Sequence, residues 1–232
     1  MTVGEHIEIP VQYVDVGGVV YINLDSRTDR NENMLGQLSD CRWPIERLSA
    51  TRLERDPEEH GLKMLPRLAG RRGVASIWLS HKAAIERLSE HATSDDEVFV
   101  LLEDDVVINN EFWLEKLQLP AGLPPDWELL LLTPKYRWRD IEAAPEDERN
   151  RNYAKAPSGG KPTLLSKALK TYLVSGAHFV VFRNRKILRD VIAKMEATPE
   201  LFDVDLFYAR ALKSYGVRNR HISSGGFGSD HD

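Results

Sequence analysis

This sequence predicts an α/β fold: a mostly parallel, Rossmann-type sheet flanked by helices, in one domain spanning residues 1–232. Three observations predict it. Short apolar runs with β-branched residues recur along the chain and end in polar turns. A long amphipathic segment with helical spacing stands among them. Taken in order, the elements read strand, helix, strand, loop, helix, strand, strand. A chain of this length buries about three quarters of the surface it exposes unfolded, so one substantial core is expected.

The first 17 residues read as a leader. "GVVYINL", Gly18 to Leu24, is the first strand, and it ends at Asp25 and Ser26. Ser26 with Asp29 three residues on is a weak capping box and predicts a helix from Arg27. Met34, Leu35 and Leu38 supply its apolar side. "PIERLSA", Pro44 to Ala50, is a second strand. The next twenty residues are charged, carry two prolines and two glycines, and read as loop. Val74, Ile77, Trp78, His81, Ile85 and Leu88 then recur at spacings of three and four, the signature of an amphipathic helix. Strands follow at Glu97 to Leu102 and Asp126 to Thr133. Pro134 to Pro162 is polar, with Tyr136, Trp138 and Tyr153 interspersed, and reads as a lid or acceptor loop rather than core. "AHFVVFR" is a last strand, and helices are expected over Arg185 to Met195 and Val204 to Tyr215.

Composition narrows the partners. A net charge of −5 leaves no basic excess to neutralise phosphates, which argues against nucleic acid. Cys41 is the single cysteine, so an internal disulfide is excluded and a reducing cytoplasm is the expected setting. It reads as a small buried or half-buried hydrophobe. The N-terminal residues carry acids and no apolar core of a signal peptide. No apolar run approaches the length of a membrane span, although peripheral contact with a membrane surface stays open.

The stretch "VFVLLEDDVVIN", Val98 to Asn109, carries the chemistry. A strand that should be buried runs into three adjacent carboxylates, Glu103, Asp104 and Asp105. Like charges side by side repel, and burying them costs several kcal/mol unless something pairs with them. Acids at a strand end are often plain solvated turns. They also suit a hard divalent cation, Mn²⁺ or Mg²⁺, which takes oxygen ligands and keeps positions open for phosphate oxygens. In open α/β sheets ligands sit at the carboxyl ends of the strands, and Asp25 ends another one. "SGGKPT", Ser158 to Thr163, lacks the spacing of a phosphate loop.

The motifs occur in one order: "VYINLDSRTDR" at Val20–Arg30, "LSH" at Leu79–His81, "VLLEDDV" at Val100–Val106, "DWELLLL" at Asp126–Leu132, "DVDLFYARAL" at Asp203–Leu212 and "GSD" at Gly228–Asp230. That series resembles the family 25 glycosyltransferases, the lipopolysaccharide and procollagen galactosyltransferase group. The resemblance implies a GT-A-like fold that binds a UDP-sugar with a divalent metal. It implies that Asn23, Asp25, Arg27 and Arg30 lie by the nucleotide, with Ser80, His81, Glu103 and Asp104 completing the donor site. It implies Asp105 as a metal ligand, with Asp230 or His231 closing the coordination from the tail. Asp203 or Asp205 would face the acceptor. The chain departs from the family where a Gly-Cys pair usually precedes "SH", here "VASIWLSH", and at "SGAHFVVF", where an aromatic-rich strand is usual.

Most single residues also have a plain structural reading. Trp78, Trp113, Trp127 and Leu88 read as packing. His81 lies on the apolar face of its helix and suits a core histidine as well as a ligand contact. Tyr136 and Trp138 read as local anchors, with stacking on a sugar left open. Three functions compete. The first is a metal-dependent transferase that moves a hexose, galactose or glucose, from a UDP-sugar to a hydroxyl of a glycan, a protein or a small molecule. The second is an inactive, glycosyltransferase-like scaffold. The third, a metal-dependent phosphohydrolase, lacks the nucleophilic Asp-x-Asp pattern.

Overall fold

A computed structural model describes residues 11–109, 117–120, 122–149, 153–154, 161–217, 219 and 221–224. The end of the expected leader is a strand, β1 (Val11–Val14), and β2 (Val16–Asn23) follows at once. Helix α1 (Thr28–Leu38) comes next. The capping box does not form: Arg27 is the N-cap and contributes no side-chain cap, and its guanidinium instead grips Asp29 with two hydrogen bonds. Met34 and Leu38 are buried, but Leu35 is 55% exposed, so the apolar side is narrower than its sequence suggests. Strand β3 (Ile45–Ser49), helix α2 (Arg72–His91) and strand β4 (Val98–Glu103) sit where their patterns place them.

Short strands β5 (Val106–Ile108), β6 (Leu117–Pro120) and β7 (Leu129–Leu131) follow. The expected lid begins with a strand instead, β8 (Lys135–Trp138), where Tyr136 is buried and Trp138 packs 4.7 Å from Tyr172. Then come β9 (Thr163–Leu164), α3 (Leu165–Ala168), β10 (Tyr172–Ser175) and β11 (Phe179–Phe182). Helix α4 (Arg185–Glu196) is capped by Asn184, whose side chain accepts from the Ile187 N–H. Helix α5 (Val204–Ala211) stops short of Tyr215, because Ser214–Gly216 forms β12 and pairs with β7. Strand β13 (Ile222–Ser224) lies against β5.

Among the described residues the main sheet has seven strands in the order β3-β2-β4-β11-β7-β12-β9. It is mixed rather than mostly parallel. The pairs β2–β3, β2–β4 and β7–β12 are parallel, whereas β11 runs antiparallel to both neighbours and β9 to β12. Alternate residues of each strand serve opposite faces. Val20, Ile22, Phe99 and Leu101 join α2, α4 and α5 in one core, while Val19, Tyr21, Val100 and Leu102 join α1, β5 and β6 in another. Trp78 of α2 anchors the first core, with the Phe207 ring 4.9 Å away, edge on. Trp127 and Leu88 are buried as expected, Cys41 is half-buried against the second core, and Trp113 lies outside the described residues. Among the described residues no helix is long and apolar enough to cross a membrane.

Candidate metal centre and cavity

Register brings the candidate residues to one end of the strands. Parallel pairing sets Ile22 opposite Glu103 and Asn23 opposite Ser49, so three strands end side by side. Strand β11 enters from the opposite direction, with Phe179 opposite Leu102. The residue before it, His178, therefore arrives beside Glu103, and its carbonyl accepts from the Glu103 N–H at 3.0 Å. An antiparallel neighbour thus delivers a histidine to the strand end that already carries the acids.

Glu103, Asp105 and His178 form a cluster that could hold a metal ion, with one ligand atom from each lying within 4.8 Å of the others. His178 Nδ1 is 2.7 Å from Glu103 Oε2 and 2.8 Å from Asp105 Oδ1. These contacts are short but not aligned: Nδ1 of His178 and Oδ1 of Asp105 are both buried without a hydrogen-bond partner of acceptable geometry. Two carboxylate oxygens and an imidazole nitrogen converging in this way can share a bound cation. Two carboxylates and an imidazole fit a divalent transition ion such as Mn²⁺ better than Mg²⁺, which favours an all-oxygen shell.

The electrostatics agree. Burial works against a charged Glu103, yet the neighbouring His178 and His81 imidazoles hold its carboxyl well below the usual range. Burial works equally against a charged His178, but Asp105 and Glu103 push its imidazole up to about 10. The cluster therefore attracts a cation, and the proton on His178 occupies that role when no metal is bound.

Asp104 turns the other way. Asn23 Nδ2 donates to its Oδ2 at 2.7 Å, and Arg30 donates to its Oδ1 at 2.8 Å. Arg47, which the sequence reading passed over, donates to Asn23 Oδ1 and pairs with Asp25, and Ser49 also bonds Asp25. Cations in the first turn of a helix need an anion nearby. The protein supplies both: Asp29 for Arg27 and Asp104 for Arg30. Asn23, Asp25, Arg30 and Asp104 thus belong to one network, in which Arg30 and Asp104 border the cavity and Asp25 lies exposed beside β3.

That cavity encloses about 790 Å³, ample for a nucleotide-sized ligand. The cluster lines it, together with residues Ala50–Glu54 and the first turns of α2. Ser80 of α2 accepts from the Thr51 N–H at 2.8 Å and ties these two walls together. His81 lies between Tyr208 and Glu103 and lines the same space. Lys135, whose Nζ is 3.1 Å from His178 Nε2, and Tyr153 border the cavity too.

Helix α5 separates the two candidate acids. Asp203 is its exposed N-cap, whereas Asp205 enters the cavity. The backbone N–H groups of Ala177 and Gly176 donate to Asp205 at 3.0 and 3.3 Å. Gly176 is required there: its φ is +105°, and a Cβ would meet the Thr133 carbonyl oxygen at 2.2 Å. Burial, then the Glu103 charge, raises the Asp205 pKa. Asp230 and His231 lie outside the described residues. His178, Lys135 and Tyr208 escaped the sequence reading. The spacing Asp205-x-x-Tyr208, which puts both on one helix face, was the available signal for the last.

Comparison with family models and with curated proteins returned no match for this chain.

Proposed function

We propose that this chain is a metal-dependent glycosyltransferase that moves a hexose, galactose or glucose, from a UDP-sugar to an acceptor hydroxyl. The observation that carries the reading is the convergence of Glu103, Asp105 and His178 in the lining of a nucleotide-sized cavity bordered by strand ends. The motif series that resembles the family 25 enzymes, which includes Glu103 and Asp105, supports the same reading.

Glu103, Asp105 and His178 would hold Mn²⁺, with Mg²⁺ the weaker alternative. The ion, when bound, stabilises the negative charge that grows on the departing diphosphate. Arg30, Asn23 and Arg47 keep Asp104 and the strand ends rigid beside the nucleotide. Asp205 faces the acceptor. In an inverting reaction it takes the proton of the acceptor hydroxyl as that oxygen bonds the anomeric carbon and the bond to the diphosphate breaks. In a retaining reaction the same carboxylate steadies the oxocarbenium-like centre. The acceptor is a glycan, a protein or a small molecule, and a single cysteine suits an enzyme of the reducing cytoplasm.

The test is UDP release from a panel of UDP-sugars, with Mn²⁺ and with chelator, by the parent and by Asp105→Ala. Metal-dependent release from one sugar, lost in Asp105→Ala, is the expected result. UDP binding without release points to a scaffold, and inorganic phosphate as product points to a phosphohydrolase.

A further inference from the structure

Tyr208 is not one of the three clustered residues but reaches His81, which borders the cluster. It is fully buried in the first core, with Phe182 and Phe207 against its ring. Its hydroxyl lies 2.9 Å from Nδ1 of His81, and Nε2 of the same ring lies 3.0 Å from Glu103 Oε1. The other Glu103 oxygen, Oε2, is the one beside His178. The chain of contacts therefore runs from a core tyrosine, through a buried histidine, to one oxygen of a candidate metal ligand.

We propose that Tyr208 is a positioning residue: its hydroxyl donates to His81 Nδ1, fixes His81 as the Nε2–H tautomer, and so holds Glu103 with Oε2 turned toward the metal. The proposal rests on reading Glu103, Asp105 and His178 as the metal ligands. A neutral imidazole has one donor and one acceptor, and the partner on one nitrogen decides which role the other plays. Burial, reinforced by the charges of Asp205 and Glu103, raises the Tyr208 pKa well above its ordinary value, so the phenol keeps the proton it donates. A ligating carboxylate needs such an outer partner, because a single rotamer among several presents the correct oxygen. His81 has no room to swing, being only 1% exposed. Tyr208 and Asp205 lie one turn apart on α5, so one helix positions both the metal ligand and the acid that faces the acceptor.

The test measures Mn²⁺ affinity of the full chain by titration and the His81 tautomer by ¹⁵N NMR of the metal-free protein. In the parent, the His81 hydrogen is expected on Nε2. Tyr208→Phe keeps the ring and removes only the hydroxyl, and it should weaken Mn²⁺ binding about 10-fold or more, the usual effect of losing an outer-shell partner. Phe182→Leu, which loosens packing against the same ring but keeps the hydroxyl, should change Mn²⁺ affinity by less than about twofold, since it leaves the relay intact. In a His81→Leu background, Tyr208→Phe should have no further effect, because it acts only through that ring. A parent hydrogen on Nδ1 overturns the proposal. So does unchanged affinity in Tyr208→Phe while Asp105→Ala abolishes binding, and in that case the metal site itself stands. Absence of Mn²⁺ binding in the parent overturns both the site and the relay.

Discussion

Arg30 and Asp104 form a buried ion pair at 2.8 Å, with side chains 7% and 10% exposed. Arg30→Met keeps much of the aliphatic stem but removes the cation, leaving the Asp104 carboxylate buried beside Asn23 alone. Breaking a buried pair from one side costs about 3–5 kcal/mol. The retained Asn23 bond offsets some of this, so the expected loss is about 3 kcal/mol. In a chain of this size, that lowers the thermal midpoint by about 6–12 °C. Adding Asp104→Asn neutralises the stranded charge, so the double variant should be more stable than Arg30→Met alone. Calorimetry of the parent, both singles and the double checks this. A drop of under about 2 °C for Arg30→Met would show that the pair contributes no more than a surface bridge. A double variant less stable than the single would refute the argument that uncompensated charge is the cause.

Further outcomes follow from the same geometry. Gly176→Ala should destabilise the protein by at least about 2 kcal/mol, from a positive φ and a backbone clash together, read as a lowered denaturation midpoint. Asp205→Asn should cut sugar transfer about 100-fold or more, the scale of a lost acid–base group, while Mn²⁺ titration stays as in the parent. Tyr153, 47% exposed and bordering the cavity, should matter for the acceptor: Tyr153→Ala raises the acceptor KM and leaves thermal stability unchanged. Trp138→Ala should do the reverse, because its indole packs on Tyr172 and donates to Glu148.

The parts of the fold that were legible are those whose pattern is local. Val98–Leu102 is buried on both faces and reads as an unbroken apolar run, and α2 shows its buried stripe at helical spacing. Strand β8 was hidden because Lys-Tyr-Arg-Trp alternates over only four residues and pairs with β10 more than thirty residues later. Helix α5 was read too long because Ser214–Gly216 pairs with β7, a tertiary contact that no local signal announces. The site divides in the same way. The acids at the end of β4 stood out as a run, but a single histidine before a strand does not. His178 becomes a candidate ligand only because β11 runs antiparallel to β4, and the sheet was expected to be mostly parallel. Glu103 and Asp105 meet His178 while Asp104 goes to Arg30, a division that follows from successive side chains diverging at a strand end.

The proposed function requires that a divalent metal and a uridine nucleotide share one cavity and bind cooperatively. The direct measurement is UDP affinity by calorimetry with and without Mn²⁺, for the parent and for Asp105→Ala. Linkage requires that two ligands sharing contacts raise each other's affinity equally. The account predicts UDP binding that tightens about 10-fold or more with Mn²⁺ in the parent, an energy of about 1.4 kcal/mol, and no such gain in Asp105→Ala. UDP affinity in the parent that is indifferent to Mn²⁺ would contradict it.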